Sequence, residues 1–168
     1  MIMLKSKRGL TIAEVIVASL LVAIIAAVAY NFYVLAKDTW FHSFVQGDMQ
    51  TEAILGIEKM LYGVDATRKG IMEAQDIVTP VVGASSSQIE LVDQDDDTLS
   101  RLFFQLGDTL VYTDEFDVDT VIIDGDVETL TFTHPTADVI VINLVLERAI
   151  RGKVITVNLS TSARIRNI

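Results

Sequence analysis

A single carboxylate stands in the most apolar part of this chain. Glu14 is the only charged residue between Arg8 and Lys37. A carboxylate entering hydrocarbon is costly unless it is paired, so an acid in such a place is a functional candidate by default. Just before it, three basic residues, Lys5, Lys7 and Arg8, precede Gly9. Hydrolysis of the peptide bond after Gly9 would create an amine on Leu10, four residues ahead of Glu14. That spacing puts amine and carboxylate on one side of a helix. The chemistry on offer is a charge pair between a new N-terminus and a buried acid, within one chain or between two packed chains.

Other groupings offer less. Asp93, Asp95 and Asp97 have the alternate spacing that opens a calcium loop. Thr98 replaces the glycine such a loop needs, and Phe104 stands where its bidentate glutamate belongs. The stretch therefore reads as a solvated acidic turn, with the three aspartates a weak metal candidate only. Asp114, Glu115, Asp117 and Asp119 form a second acidic loop read the same way. The two histidines, His42 and His134, sit in no context that suggests a catalytic triad, and structural or solvent roles are expected for both. There is no nucleophile elbow, phosphate-binding loop or dinucleotide fingerprint. Asn158-Leu159-Ser160 is a sequon inside an expected strand and carries no weight. No catalytic residue and no cofactor is expected.

Composition narrows the class further. The 168 residues carry a formal charge of −10 and no cysteine, which excludes disulfides, thiolate metal sites and cysteine catalysis. Without residues 1–9, ten basic residues would face twenty-three acidic ones, a charge of −13. Such a surface is poorly suited to nucleic-acid phosphates, and no nucleic-acid binding is expected.

The elements that must carry Glu14 follow from the hydropathy pattern. From Val15 to Ala36 no residue is charged. At about 1.5 Å per helical residue this run crosses a hydrocarbon core of about 30 Å. The basic cluster ahead of it places that end in the cytoplasm and everything after Lys37 on the other side. From Lys37 to Ala66 the helix continues but becomes amphipathic. Phe41, Phe44, Val45, Met49, Ile54, Ile57, Met60, Leu61 and Val64 recur at three- and four-residue steps, with Gly70 as the expected C-terminal cap. Gly47, Gly56 and Gly63 weaken the helix by about 1 kcal/mol each and suggest close packing on a sheet.

Beyond residue 70 the period changes to that of strands. Ile77–Val82, broken by Pro80, suits an edge, and 83–87 a loop. Gln88–Val92 and Leu99–Leu106 read as strands across the acidic turn. Thr109–Thr113, Val121–Ile123, Val127–His134, Val139–Leu146 and Val154–Ser162 follow, the last two connected by Arg148–Lys153 with Gly152. Val139–Leu146 is apolar on nearly both faces and should be central, whereas Val154–Ser162 turns Ile155, Val157 and Leu159 inward. No helices separate these strands. The expected fold is therefore α+β: a long helical spine, first transmembrane and then amphipathic, packed on an antiparallel β-sheet head or small sandwich.

The segment KRG followed by LTIAEVIVASLLVAI resembles the leader and N-terminus of type IV pilins and pseudopilins. The helix pattern QTEAILGIEKMLYGVDA, the element GDVETLTFTH and the ending VNLSTSARIRN are most similar to a minor pilin or a J-type minor pseudopilin. The resemblance implies a leader at 1–9, a membrane and filament-core half of the helix at 10–36, an amphipathic half at 37–69 and a β-rich head at 70–168. It implies cleavage between Gly9 and Leu10, methylation of Leu10, and a docking role for Glu14 during assembly. The implied partners are a prepilin peptidase, other pilin or pseudopilin subunits, an inner-membrane assembly platform and, before assembly, the lipid bilayer. The implied location is the bacterial inner membrane, followed by a fibre in the periplasm or at the cell surface. Leu10 replaces the commonest phenylalanine. Asn31 stands where many major pilins carry a kinking proline, which argues against a major pilin. The alternatives are a plain anchor, a signal segment cut after Ala29, or a membrane-anchored or secreted periplasmic binding module that never polymerises.

Overall fold

The computed structural model describes residues 11–65, 68–74, 76–93 and 96–165, with positions 93 and 96–99 described by backbone alone. Lys5, Lys7, Arg8 and Gly9 of the expected leader, and Leu10 after them, lie outside these bounds. The fold is α+β: among the described residues it has one long helix, α1 (Ile12–Tyr62), and nine antiparallel strands. The chain divides into two compact units, residues 1–43 and 44–168.

The second unit begins on the last turns of α1. Val45, Met49, Ala53, Gly56 and Met60 are buried and recur every three or four residues, so they form one stripe down the helix. Phe44 and Ile54, expected in that stripe, are exposed. The reason lies at Gly56: a Cβ there would come within 2.6 Å of Ile123 Cδ1. Close approach of backbone to sheet selects the stripe carrying Ala53 and Gly56 over the neighbouring stripe of larger side chains.

The strands form two sheets. The first has the order β1 (Asp76–Thr79), β3 (Gln88–Asp93), β4 (Asp96–Leu106), β5 (Thr109–Thr113) and β6 (Asp119–Ile123). The second has the order β2 (Ser85–Ser86), β7 (Val127–Thr136), β8 (Val139–Ile150) and β9 (Lys153–Arg164). Val139–Leu146 is interior to its sheet, with Ile140, Ile142, Leu144 and Leu146 buried on one face. Several expected loops are shorter than their composition suggests. Residues 83–87 include β2, and the acidic turn tightens until Asp93 pairs with Asp96. β7 passes Pro135 through an irregularity between Thr133 and Thr136. Arg148 lies in strand, not in a connection.

The helix ends earlier than its apolar pattern. It stops at Tyr62, not Ala66, because Gly63 adopts φ +106° and closes the last turn with an N–H to the Lys59 carbonyl at 2.9 Å. Gly70 is not the cap; it precedes a 3₁₀ turn at Ile71–Glu73. The chain doubles back, with Val64 N–H donating to Arg68 O at 3.0 Å. Arg68 Nη1 donates to Thr120 Oγ1 at 2.6 Å, and buried Arg101 donates to Lys69 O at 2.9 Å, fixing the return on the five-stranded sheet.

A side chain at position 63 would collide with the Arg68 carbonyl as well as requiring a strained φ. Gly63→Ala is expected to destabilise the protein by roughly 1–3 kcal/mol. Gly47→Ala, where a Cβ would meet nothing within 4 Å, is expected to be neutral or stabilising by up to about 1 kcal/mol. Thermal unfolding of both variants against wild type checks the contrast, and an equal effect at the two glycines would contradict the account of the helix end.

Candidate functional site

Every residue from Thr11 to Lys37 is exposed. Val15, Leu21, Ile25, Tyr30, Phe32 and Leu35 each leave half or more of their surface uncovered. The helix is long and apolar enough to cross a membrane. A helix that is apolar all round demands an apolar environment all round, from lipid or from other helices.

Glu14 sits in the first turn of this helix, and its carboxylate is engaged locally. Oε2 accepts the backbone N–H of Thr11 at 2.8 Å and the Thr11 hydroxyl at 3.0 Å. In return, Thr11 Oγ1 accepts the Glu14 N–H at 3.3 Å. This reciprocal pair is a capping box, which satisfies two of the amide donors that a helix start leaves open. Oε1 accepts no hydrogen bond among the described residues. The Thr-x-x-Glu spacing at Thr11–Glu14 signals the box in the sequence. Reading Glu14 only as half of a charge pair misses Thr11. The acid thus helps to cap the start of the helix. His42, further along, has Nε2 3.8 Å from Asp38 one turn earlier.

In the second unit the charged centre is Arg148, which lies in β8 and not in the expected connection. Its Nε donates to Asp126 Oδ2 at 2.6 Å, and its terminal nitrogens reach Asp126, Asp48 (3.2 Å) and Glu52 (3.4 Å). One guanidinium therefore joins β8, the turn before β7 and two acids one turn apart on α1. The hydrogen bond that Arg148 donates to Asp126 is the main cause raising the Arg148 pKa, with burial opposing. Burial raises the Glu52 pKa, and the Arg148 charge works against that rise. The partners stand 22 to 100 residues away in sequence, so no local pattern announces the cluster.

The remaining candidates have structural positions. His134 is buried; its Nδ1 lies 2.8 Å from the Pro80 carbonyl, while its backbone holds Gly83 and Ala84 against β7. Asp114 ties its own loop, accepting the N–H groups of Phe116 and Val118 at 2.9 and 3.0 Å. Asp95 lies outside the described residues, and Asp93 and Asp97 are described by backbone alone, so the weak metal candidate lies outside what is described. Among the described residues no group of three or more His, Asp or Glu is placed to hold a metal ion. A groove of about 420 Å³ runs between Gln46, Gln50 and Ile54 of α1 and Thr156–Leu159 of β9.

Comparison with known proteins adds nothing to this geometry: no protein-family model, no curated protein and no solved structure matches the chain.

The charge cluster makes a pH-dependent contribution whose sign follows from Glu52. Its folded-state pKa is raised, so its contribution to stability is present below the ordinary glutamate range and is lost as pH rises through the raised value. Arg148 limits that loss. Arg148→Gln is expected to push the Glu52 pKa higher and to cost about 1 kcal/mol near pH 7, less near pH 4. Adding Glu52→Gln should remove most of the pH-dependent part. Denaturant unfolding of the four variants of this cycle at both pH values measures it, and a pH-independent cost would mean that Glu52 is not coupled to Arg148.

Proposed function

We propose that this chain is a non-enzymatic filament subunit, a minor pilin or minor pseudopilin of a type IV pilus or a type II secretion pseudopilus. The observation that carries this reading is an apolar helical stretch, exposed throughout residues 11–37, whose single carboxylate, Glu14, lies in its first turn, just beyond the sequence Lys-x-Lys-Arg-Gly. A plain anchor needs the apolar surface but gains nothing from an acid at its start. An assembling helix needs both: surface for helix–helix packing and one charge to report alignment.

In this reading the chain inserts with its N-terminus in the cytoplasm of a bacterial inner membrane. A prepilin peptidase cuts after Gly9, and Leu10 is methylated. The Thr11–Glu14 box survives the cut, because it uses the Thr11 amide and not the new terminus. Glu14 Oε1 is then the atom that receives a terminal amine, from its own chain or from a neighbour in the fibre. A misaligned neighbour leaves an unpaired acid and an unpaired amine in an apolar setting, which disfavours that register. The assembly platform draws the helix from lipid into the fibre, and the β-rich head faces outward or caps the tip.

Mass spectrometry of the mature N-terminus, on material from the native cell, is the direct test. A chain starting at methylated Leu10 is expected. A chain starting at Tyr30 would mean a secreted head with no role for Glu14, and an intact N-terminus would favour an anchored binding module. Glu14→Ala should leave membrane insertion unchanged and reduce recovery in sheared filaments at least tenfold. Normal incorporation of that variant would count against the proposal.

A further inference from the structure

The five-stranded sheet covers one of its faces and leaves the other open. Ile89, Leu91, Phe103, Leu110 and Tyr112 lie on the covered face and are fully buried. On the opposite face, strand register sets two neighbouring rungs side by side. One runs Glu90, Leu102, Thr113, Asp119 from β3 to β6, and the next runs Gln88, Phe104, Val111, Val121. Leu106 stands beyond Phe104 on the same face of β4. Leu106 and Val121 are 62% and 54% exposed, Leu102 and Phe104 are half-buried, and Val111, between Phe104 and Val121, is covered. The corresponding face of the four-stranded sheet is more polar: Asn143 stands between Thr131 and Ser160, and Val145 between Thr129 and Asn158.

Charge on the open face has one sign. Glu90 and Asp119 close the first rung at its two ends, and Glu115 and Asp117 follow in the exposed loop between β5 and β6. Between Lys69 and Arg148 the only lysine or arginine is Arg101, which shares the covered face with Leu91 and is buried there. The sheet therefore supplies no cation to its open face. Asp119 Oδ1 accepts the hydroxyl of Thr113 at 2.7 Å, a neutral partner that leaves the charge uncompensated. Single exposed apolar residues are ordinary, but a contiguous apolar strip rimmed by polar groups marks an interaction surface.

We infer that this face docks a segment of a different protein, one that presents apolar side chains between lysines or arginines. The strip of Leu102, Phe104, Leu106 and Val121 offers apolar contact, and the acids around it select the sign of what approaches. A second copy fits poorly. Face against face would set acid against acid, and guanidiniums elsewhere in the chain are held at home: Arg68 by Asp65, Arg148 by Asp126, Asp48 and Glu52, and Arg164 by Asp138. A lipid surface fits no better, because its phosphates carry the same sign as Glu90 and Asp119. The inference goes beyond the filament reading and does not rest on it.

A photoreactive benzoyl-phenylalanine at position 106 of the full-length chain, in native-cell envelopes, reports what covers the face. The expected product is an adduct with a different protein, attached within a segment that peptide mass spectrometry reads as apolar residues flanked by Lys or Arg. The same probe at position 158, on the four-stranded sheet, should not form it. Glu90→Gln combined with Asp119→Asn, and separately Val121→Thr, should each cut the yield severalfold, with thermal unfolding confirming that both variants fold. A synthetic peptide of the attached segment should bind the full-length chain in phosphatidylcholine nanodiscs at least tenfold more tightly than its charge-reversed form. An adduct with a second copy or with lipid, or no adduct, would overturn the inference. So would a segment without Lys or Arg, or a yield indifferent to the two acids. None of these outcomes bears on cleavage after Gly9, so the filament reading stands or falls separately.

Discussion

The close approach of α1 to the sheet at Gly56 is the constraint on which the second unit depends. With no disulfide to staple it, the head relies on its core, and the helix enters that core through a narrow seam of Val45, Met49, Ala53, Gly56 and Met60. Met49 and Met60 are fully buried, each contributing about 1.5–3 kcal/mol of transfer free energy. Ala53 and Gly56 contribute little area of their own. They let the helix backbone come close enough for the two methionines to reach apolar neighbours. A larger side chain at 56 would push against Ile123 and lift the seam from the sheet.

The same helix meets two kinds of surroundings, and the sequence changes accordingly. Through Lys37 every residue is exposed, and the apolar residues lie on all sides. From Phe44 on, one stripe is buried and the rest is mixed, with Asp48, Glu52 and Glu58 among exposed Phe44, Ile54 and Leu55. The first pattern has no preferred face and fits surroundings that are apolar in every direction. The second has a face fixed by packing. Glu14 belongs to neither pattern: its hydrogen bonds to Thr11 set where the apolar run begins to be helical.

Much of this was legible in the residues. Alternation located the strands, Thr109–Thr113 to the residue, and the doubly apolar Val139–Leu146 gave the interior strand. What misled was competition that only tertiary structure resolves. Leu61 and Val64 continue the helical spacing past Gly63, yet the turn back to Arg68 ends the helix there. Ile54 and Ala53 are neighbours on adjacent stripes, and hydrophobicity alone favours the isoleucine, whereas proximity to Ile123 favours the alanine–glycine side. Arg148 looked like part of a turn because its partners are far away in sequence. Thr11 is different, because its spacing to Glu14 is itself a local signal of the capping box.

Arg148 and Gly56 then divide the work of fixing the helix. Apolar contact is non-directional, so a methionine seam alone would tolerate a small rotation or slide of the helix. Gly56 sets the distance, since only the stripe containing it can approach so closely. Arg148 sets the rotation, since Asp48 and Glu52 lie one turn apart and both must face the guanidinium that Asp126 already holds. Replacing the cluster with apolar residues could preserve stability, because part-buried ion pairs contribute little net free energy. It would remove the element that distinguishes one rotational setting from the next. The cluster therefore contributes more to the orientation of the helix than to the free energy of the fold.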